Sequence, residues 1–182
     1  MTAVVGVVED GRICIGADSA GTTAWGSQVL YAWPKIWRQG PYLIGICGSG
    51  RARQVLQYHA DLPVPWEWEQ DLVGFLVARF VPEVRRVLKD EGLAEKENNV
   101  ESFFGDFMVG FRGRLFTIES TFQVLEVAHG YDAIGSGMDV ARGAMCATVG
   151  AGCGRERVLA ALEAAARHCS GVRPPFHIEV LE

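Results

Sequence analysis

Apolar residues dominate two short runs at the start of the chain, residues 3–8 and 13–17, with Glu9-Asp10-Gly11-Arg12 between them. Short apolar runs on either side of a turn sequence predict a β-hairpin. A two-residue Asp10-Gly11 turn pairs Ala3 with Asp18, whereas a three-residue loop over Glu9-Asp10-Gly11 pairs Val8 with Arg12 and Thr2 with Asp18. Directly opposed residues share a face of the sheet. The longer loop therefore sets Asp18 beside Thr2, and the shorter one sets them on opposite faces. Both registers fit the sequence.

A Gly/Ser/Thr segment, residues 19–27, follows, and then QVLYAWPKIWRQGPYLIGICGSG reads as two strands around Gly40-Pro41. Strand alternation puts Lys35 on the face of Trp33 and Trp37, and Pro34 marks an edge or an end. Residues 50–60 read as a helix entered through Gly48-Ser49-Gly50. Over residues 67–90, Trp68, Leu72, Phe75, Leu76, Val84, Val87 and Leu88 recur at helical spacing, with Pro82 expected to kink or divide the helix. The stretch EGLAEKENNVES reads as a polar loop. Residues 104–111, 114–119 and 122–134 read as strands, and GSGMDVARGAMCATVG as a helix. A clearer helix covers residues 155–169, with Val158, Leu159, Leu162, Ala165 and Ala166 on one face; PFHIEVL forms a last strand. Strands and helices arrive in blocks, an order that suggests antiparallel sheets packed together with helices outside. No internal repeat or low-complexity tract is present.

At 182 residues the chain is expected to form one domain, residues 1–182. A net charge of −5 and the absence of a Lys/Arg-rich stretch argue against nucleic acid as the main partner. The five cysteines, Cys14, Cys47, Cys146, Cys153 and Cys169, form no CxxC pair. They predict a reducing compartment with neither a disulfide framework nor a metal site. The first apolar run follows no basic segment and stops at Glu9-Asp10, unlike a signal peptide, and no run approaches the roughly 18 apolar residues of a membrane span. A cytoplasmic protein without membrane association is expected.

Thr2 changes the picture. One methionine separates it from the start of the chain. Once that methionine is removed, a hydroxyl and a free α-amine share one residue, a nucleophile beside its own base. The amine's reference pKa of about 7.7–8.0 suits it to take a proton near neutrality.

Four further stretches extend this reading: T-AVVGVVEDGRICIGADS, PKI, IGICGSGRARQ and AIGSGMDVARGA, in that order. Together they resemble the proteasome β-subunit family, in its bacterial branch of HslV-type and related proteasome homologues. The likeness is strongest over residues 2–54 and 131–145. It implies an α+β fold, a four-layer αββα sandwich of two antiparallel sheets flanked by helices, and the chemistry of an N-terminal nucleophile (Ntn) hydrolase. It also implies a threonine endopeptidase that needs no cofactor, hydrolysing polypeptides inside stacked rings of six or seven subunits or an open spiral, with an ATP-dependent unfoldase ring as the partner of bacterial relatives.

Carried over by residue, the resemblance makes Thr2 the nucleophile, Lys35 the cation that primes it and Asp18 the carboxylate that orients Lys35. A cation nearby disfavours protonation of both hydroxyl oxygen and amine. Thr2 and Lys35 stand one residue further apart than in the usual family pattern, which requires a small insertion within residues 19–34. The resemblance makes the Gly48 amide a donor to a tetrahedral oxyanion and Ser136 an aid to proton transfer. Read locally, Ser136 is simply a helix N-cap and Gly48 a turn residue before a helix.

The chain departs from the family near its end. There the family commonly carries an aspartate and then a serine, and this chain has AAARHCSGVRPPF, with His168 at the aspartate position and Ser170 close to the serine position. Histidine is no permanent carboxylate, and it suits a helix C-terminus. The departure favours a second reading, a proteasome-like structural or regulatory ring without catalysis. A third reading is a cysteine-dependent hydrolase built on Cys47 or Cys169, for which no Cys–His spacing stands out.

Overall fold

In the computed structural model, β1 (Val4–Glu9) pairs antiparallel with β2 (Arg12–Ala17), from Val4↔Ala17 to Glu9↔Arg12. This is the two-residue register. Asp10 and Gly11 carry φ angles of 50° and 76°, the two positive values that a type I′ turn requires. The structure describes residues 1–23 and 25–182; Ala24, within the Gly/Ser/Thr segment, lies outside them. That segment contributes a short ribbon, β3 (Ala20–Thr22) against β4 (Gln28–Leu30).

Around Gly40-Pro41 the expected strands form as β5 (Ile36–Gln39) and β6 (Tyr42–Ile46). Lys35 sits in the bend just before β5. Next comes α1 (Gly50–His59), whose N-cap Ser49 accepts from the Ala52 N–H at 3.2 Å. The helix expected over residues 67–90 starts later, at α2 (Leu72–Phe75). It passes through one π-helical turn (Leu76–Phe80) into α3 (Val81–Asp90), whose first turn holds Pro82. Proline has no N–H to give and its ring crowds the carbonyl four residues back, so a wider turn there is physically reasonable. Trp68 lies before this helix and is exposed, so it is not on the helix's buried face.

Residues 94–103 form a hairpin where a polar loop was expected. β7 (Ala94–Glu97) pairs with β8 (Val100–Phe103) across Asn98-Asn99, whose φ angles are 49° and 66°. Asparagine tolerates this left-handed turn, and Lys96 lies opposite Glu101. The chain continues through β9 (Phe107–Phe111) and β10 (Arg114–Ile118). The single strand expected over residues 122–134 divides into β11 (Val124–Glu126) and β12 (Tyr131–Ile134), which join different sheets. Then follow α4 (Met138–Ala147), α5 (Gly154–His168) and β13 (His177–Leu181).

Two larger sheets result, with strand orders β12-β1-β2-β13 and β11-β10-β9-β6-β5, and every pairing is antiparallel. Alternation along β1 sorts the core. Val4 joins Ile13, Ile15, Leu43, Met108 and Leu115, residues drawn from both sheets. Val5 and Val7 join Met145, Val158 and Leu162 from α4 and α5. On the second sheet, Trp37, Ile44 and Val109 pack with Leu56, Leu76, Phe80 and Val84 from α1 to α3. Strands covered on both faces read as unbroken apolar runs, as these do in sequence. In α5, Val158, Ala161, Leu162 and Ala165 are fully buried, while Leu159 points outward. No helix among the described residues is long and apolar enough to cross a membrane.

Candidate functional site

The site grows from the end of β2 and the start of β1. Asp18 follows β2 and is fully buried. Its Oδ1 accepts from the Ala3 N–H at 3.0 Å and from Lys35 Nζ at 2.7 Å. Its Oδ2 accepts from the Ala20 N–H at 2.9 Å and the Arg173 N–H at 3.3 Å. A buried carboxylate needs this degree of satisfaction, because an unpaired one would be strongly disfavoured.

Lys35 reaches from the bend before β5 and donates to Thr2 Oγ1 at 3.0 Å. Burial pulls the Lys35 ammonium below the ordinary lysine range, and its pairing with Asp18 opposes that pull. With Met1 attached, the Thr2 hydroxyl donates to the Met1 carbonyl at 2.7 Å, and the Thr2 N–H donates to Ser136 Oγ at 3.0 Å. Thr2 is buried, and Met1 is largely exposed.

Ser136 is not a helix cap. Gly137 occupies the N-cap position of α4, and the Ser136 hydroxyl turns to the first residues of the chain. The Gly137 N–H donates to the Thr2 carbonyl at 3.1 Å. Gly135, at φ 90°, lies so close to that carbonyl that a Cβ would strike it. Gly48, between β6 and α1, also has φ 90°, and a Cβ there would strike the Phe104 carbonyl. On either side of Gly48, the Cys47 and Ser49 N–H groups donate to the Asp106 and Phe104 carbonyls. Among the described residues the Gly48 N–H has no backbone acceptor. Thr2 and Gly48 both line two cavities, of about 650 Å³ and 500 Å³.

Thr2, Asp18, Lys35, Ser136 and Gly48 thus meet at one place, although the register puts Thr2 and Asp18 on opposite faces. Lys35 bridges them. His168 and Ser170 do not join: both are exposed, His168 at the last turn of α5, and neither is a polar partner of Thr2. The loop after α5 nevertheless reaches the site through Gly171, which abuts the Met1 side chain, and through the Arg173 amide on Asp18. Those contacts are made by backbone, so no side-chain pattern announces them. Cys47 is buried with its thiol pushed up to about 12, chiefly by burial, which opposes the thiolate that a cysteine nucleophile needs.

Chemically, the cluster couples a hydroxyl to an ammonium held by a carboxylate, next to an amide free to meet developing negative charge. Neither a family model nor a curated protein sequence matches the chain. Solved structures do. BPH from Thiobacillus denitrificans, in complex with epoxomicin, is 26% identical with a TM-score of 0.81, covering 99% of this chain and 98% of that one. HslV from Trypanosoma brucei is 18% identical with a TM-score of 0.71, covering 99% of both chains. Anbu from Hyphomicrobium sp. strain MC1 is 16% identical with a TM-score of 0.66, covering 100% of this chain and 82% of that one. The last two likenesses are of fold alone; with the near-complete match to BPH and the four ordered sequence stretches, the chain is similar to proteins of the proteasome β/HslV type.

Proposed function

We propose that this protein is the threonine endopeptidase subunit of a ring protease, active once Met1 is removed. The observation that carries the reading is Lys35 Nζ, 3.0 Å from Thr2 Oγ1 and 2.7 Å from the buried Asp18 carboxylate. The fold is read as one four-layer αββα domain, supported by the three separate apolar clusters, one holding residues of both sheets and two joining a sheet to helices.

With Met1 gone, the Thr2 nitrogen becomes an amine beside Ser136 Oγ. The amine takes the hydroxyl proton as Thr2 Oγ1 attacks a peptide carbonyl carbon, and the oxyanion forms against the Gly48 N–H. Collapse breaks the C–N bond, the amine's proton passes to the leaving nitrogen, and an ester to Thr2 remains. Water, deprotonated by the same amine, attacks that ester; the carboxylic acid leaves and the hydroxyl regains its proton. Throughout, the Lys35 charge holds down the pKa of the hydroxyl and the amine.

The test joins intact mass to activity. The mature protein loses one methionine, cleaves unfolded polypeptide, and stops cleaving when treated with epoxomicin. Thr2→Ala loses activity by at least about 10³-fold, the scale of losing a nucleophile that acts as a unit with its base, and still assembles. Activity unchanged in Thr2→Ala removes the nucleophile assignment. Exposed His168, in place of a family carboxylate, favours the second reading, a ring without catalysis. Retention of Met1 in the mature protein selects that reading. An ATP-driven unfoldase ring is the partner proposed for the active form, and the cytoplasm its compartment.

A further inference from the structure

The 650 Å³ cavity beside Thr2 is lined by three cations: Lys35, Arg51 and Arg53. Two are already engaged. Lys35 is bound to Asp18, and Arg51 reaches Glu91 at 3.2 Å. Arg53 differs. It is 6% exposed, and its Nε and Nη1 are buried without a hydrogen-bond partner among the described residues. Its guanidinium lies over two indoles, 4.7 Å from the Trp33 ring centroid and 5.2 Å from that of Trp37. Aromatic faces orient a guanidinium but accept none of its hydrogen bonds in the ring plane. The Thr22 hydroxyl lines the same cavity and is likewise buried without a partner. None of the described residues lining this cavity is acidic.

A buried, unpaired arginine is costly to a fold, and a cavity-lining guanidinium with two orphaned donors calls for an acceptor that comes from outside. A carboxylate fits best, because its two oxygens match the planar fork of a guanidinium. The cavity opens onto Thr2, so the group delivered there belongs to a substrate whose carbonyl Thr2 would attack. We propose that Arg53 is a specificity-determining residue and that this cavity takes the acidic side chain, Asp or Glu, of the residue preceding the cleaved bond. Thr22 supplies a further hydrogen bond to the same carboxylate. The proposal rests on Thr2 acting as the nucleophile.

Peptides with blocked ends, and a Glu or a Gln before a fluorogenic amide, test this. With no other carboxylate in the peptide, a preference reports the side chain rather than a chain terminus. The mature protein favours Glu over Gln by about 10- to 100-fold in kcat/KM, the scale of charged hydrogen bonds in a desolvated site. Arg53→Gln removes that preference, and Arg53→Glu turns it toward Lys. The same peptides are titrated into Thr2→Ala, where binding is read without catalysis. A Glu preference in that binding, abolished by adding Arg53→Gln, supports the inference even if no peptide is cut, in which case the nucleophile reading fails alone. Equal treatment of Glu and Gln by an active enzyme overturns the inference and leaves the nucleophile reading standing. No binding of either peptide to Thr2→Ala, with no cleavage, overturns both. Arg53→Met provides a control on folding. It keeps the aliphatic stem and removes the unpaired charge, so it unfolds at a temperature no lower than the parent; a large fall assigns Arg53 a structural role and counts against the proposal.

Discussion

At the scale of single residues, the protein concentrates its electrostatics on one buried pair. Asp18 receives four hydrogen bonds, three from backbone amides and one from Lys35. Removing one member of a buried ion pair strands the other, so Asp18→Asn is expected to destabilise the fold by about 3 kcal/mol, measurable by chemical denaturation. The pH profile carries the same pair. In the proposed mechanism Lys35 must stay charged to prime Thr2, and burial lowers its pKa below the usual lysine range. Activity should therefore fall on the alkaline side at a pH below about 10.4, the ordinary lysine value. In Asp18→Asn the residual activity should fall at lower pH still, because the carboxylate that raises the Lys35 pKa is gone. An alkaline limb unmoved by Asp18→Asn would detach Lys35 from the rate. The sign for stability runs with the depression: between the folded and unfolded pKa values the unfolded chain binds more protons, so Lys35's contribution to stability rises with pH there.

Elements hold these residues by local rules that are partly visible in the chain. The Asp10-Gly11 turn fixes the register that places Asp18 just past β2, with its N–H donating to the Ala3 carbonyl at 3.2 Å. Read from sequence, that register separates Thr2 from Asp18. The separation is real for the strands, but the four-carbon side chain of Lys35, from the bend before β5, spans it. Periodicity located α5 well, and its buried stripe presses on β1 and β2. Leu162→Ala, at a fully buried position in that stripe, should cost about 2–5 kcal/mol through lost burial and a residual cavity. A drop in melting temperature without a change in kcat per folded molecule is the expected outcome, since Leu162 touches none of the site. Periodicity failed at the hairpin of β7 and β8, where charged residues looked like a loop. There the Asn98-Asn99 turn fixes the pairing, and only its Ala94–Phe103 end reaches the apolar core.

For the whole molecule, the surface is the informative part. Trp25 is 93% exposed, Trp66 70%, Trp68 72% and Phe104 79%. Large aromatics left open on one chain suit contact with others, where they can be buried. Native mass measurement should give a species many times the 19.8 kDa chain; a stable monomer at micromolar concentration would overturn the ring reading. Trp68 also shows why sequence alone misassigned it: its spacing fits the helix that follows, but the helix begins at Leu72, beyond it.

The sequence by itself determined that a hairpin opens the chain and that strands and helices come in blocks, which follow from period and turn chemistry, local properties of the chain; its resemblance to a known family picked out Thr2, Asp18, Lys35, Gly48 and Ser136 as candidates. Only the tertiary structure decided how residues far apart in sequence meet. It turned Ser136 from a helix cap into a partner of the Thr2 nitrogen, brought the Arg173 amide to Asp18, and left Arg53 beside two indoles with its Nε and Nη1 unbonded among the described residues. Such contacts depend on how sheets and loops pack across the whole chain, and no local pattern encodes that distance.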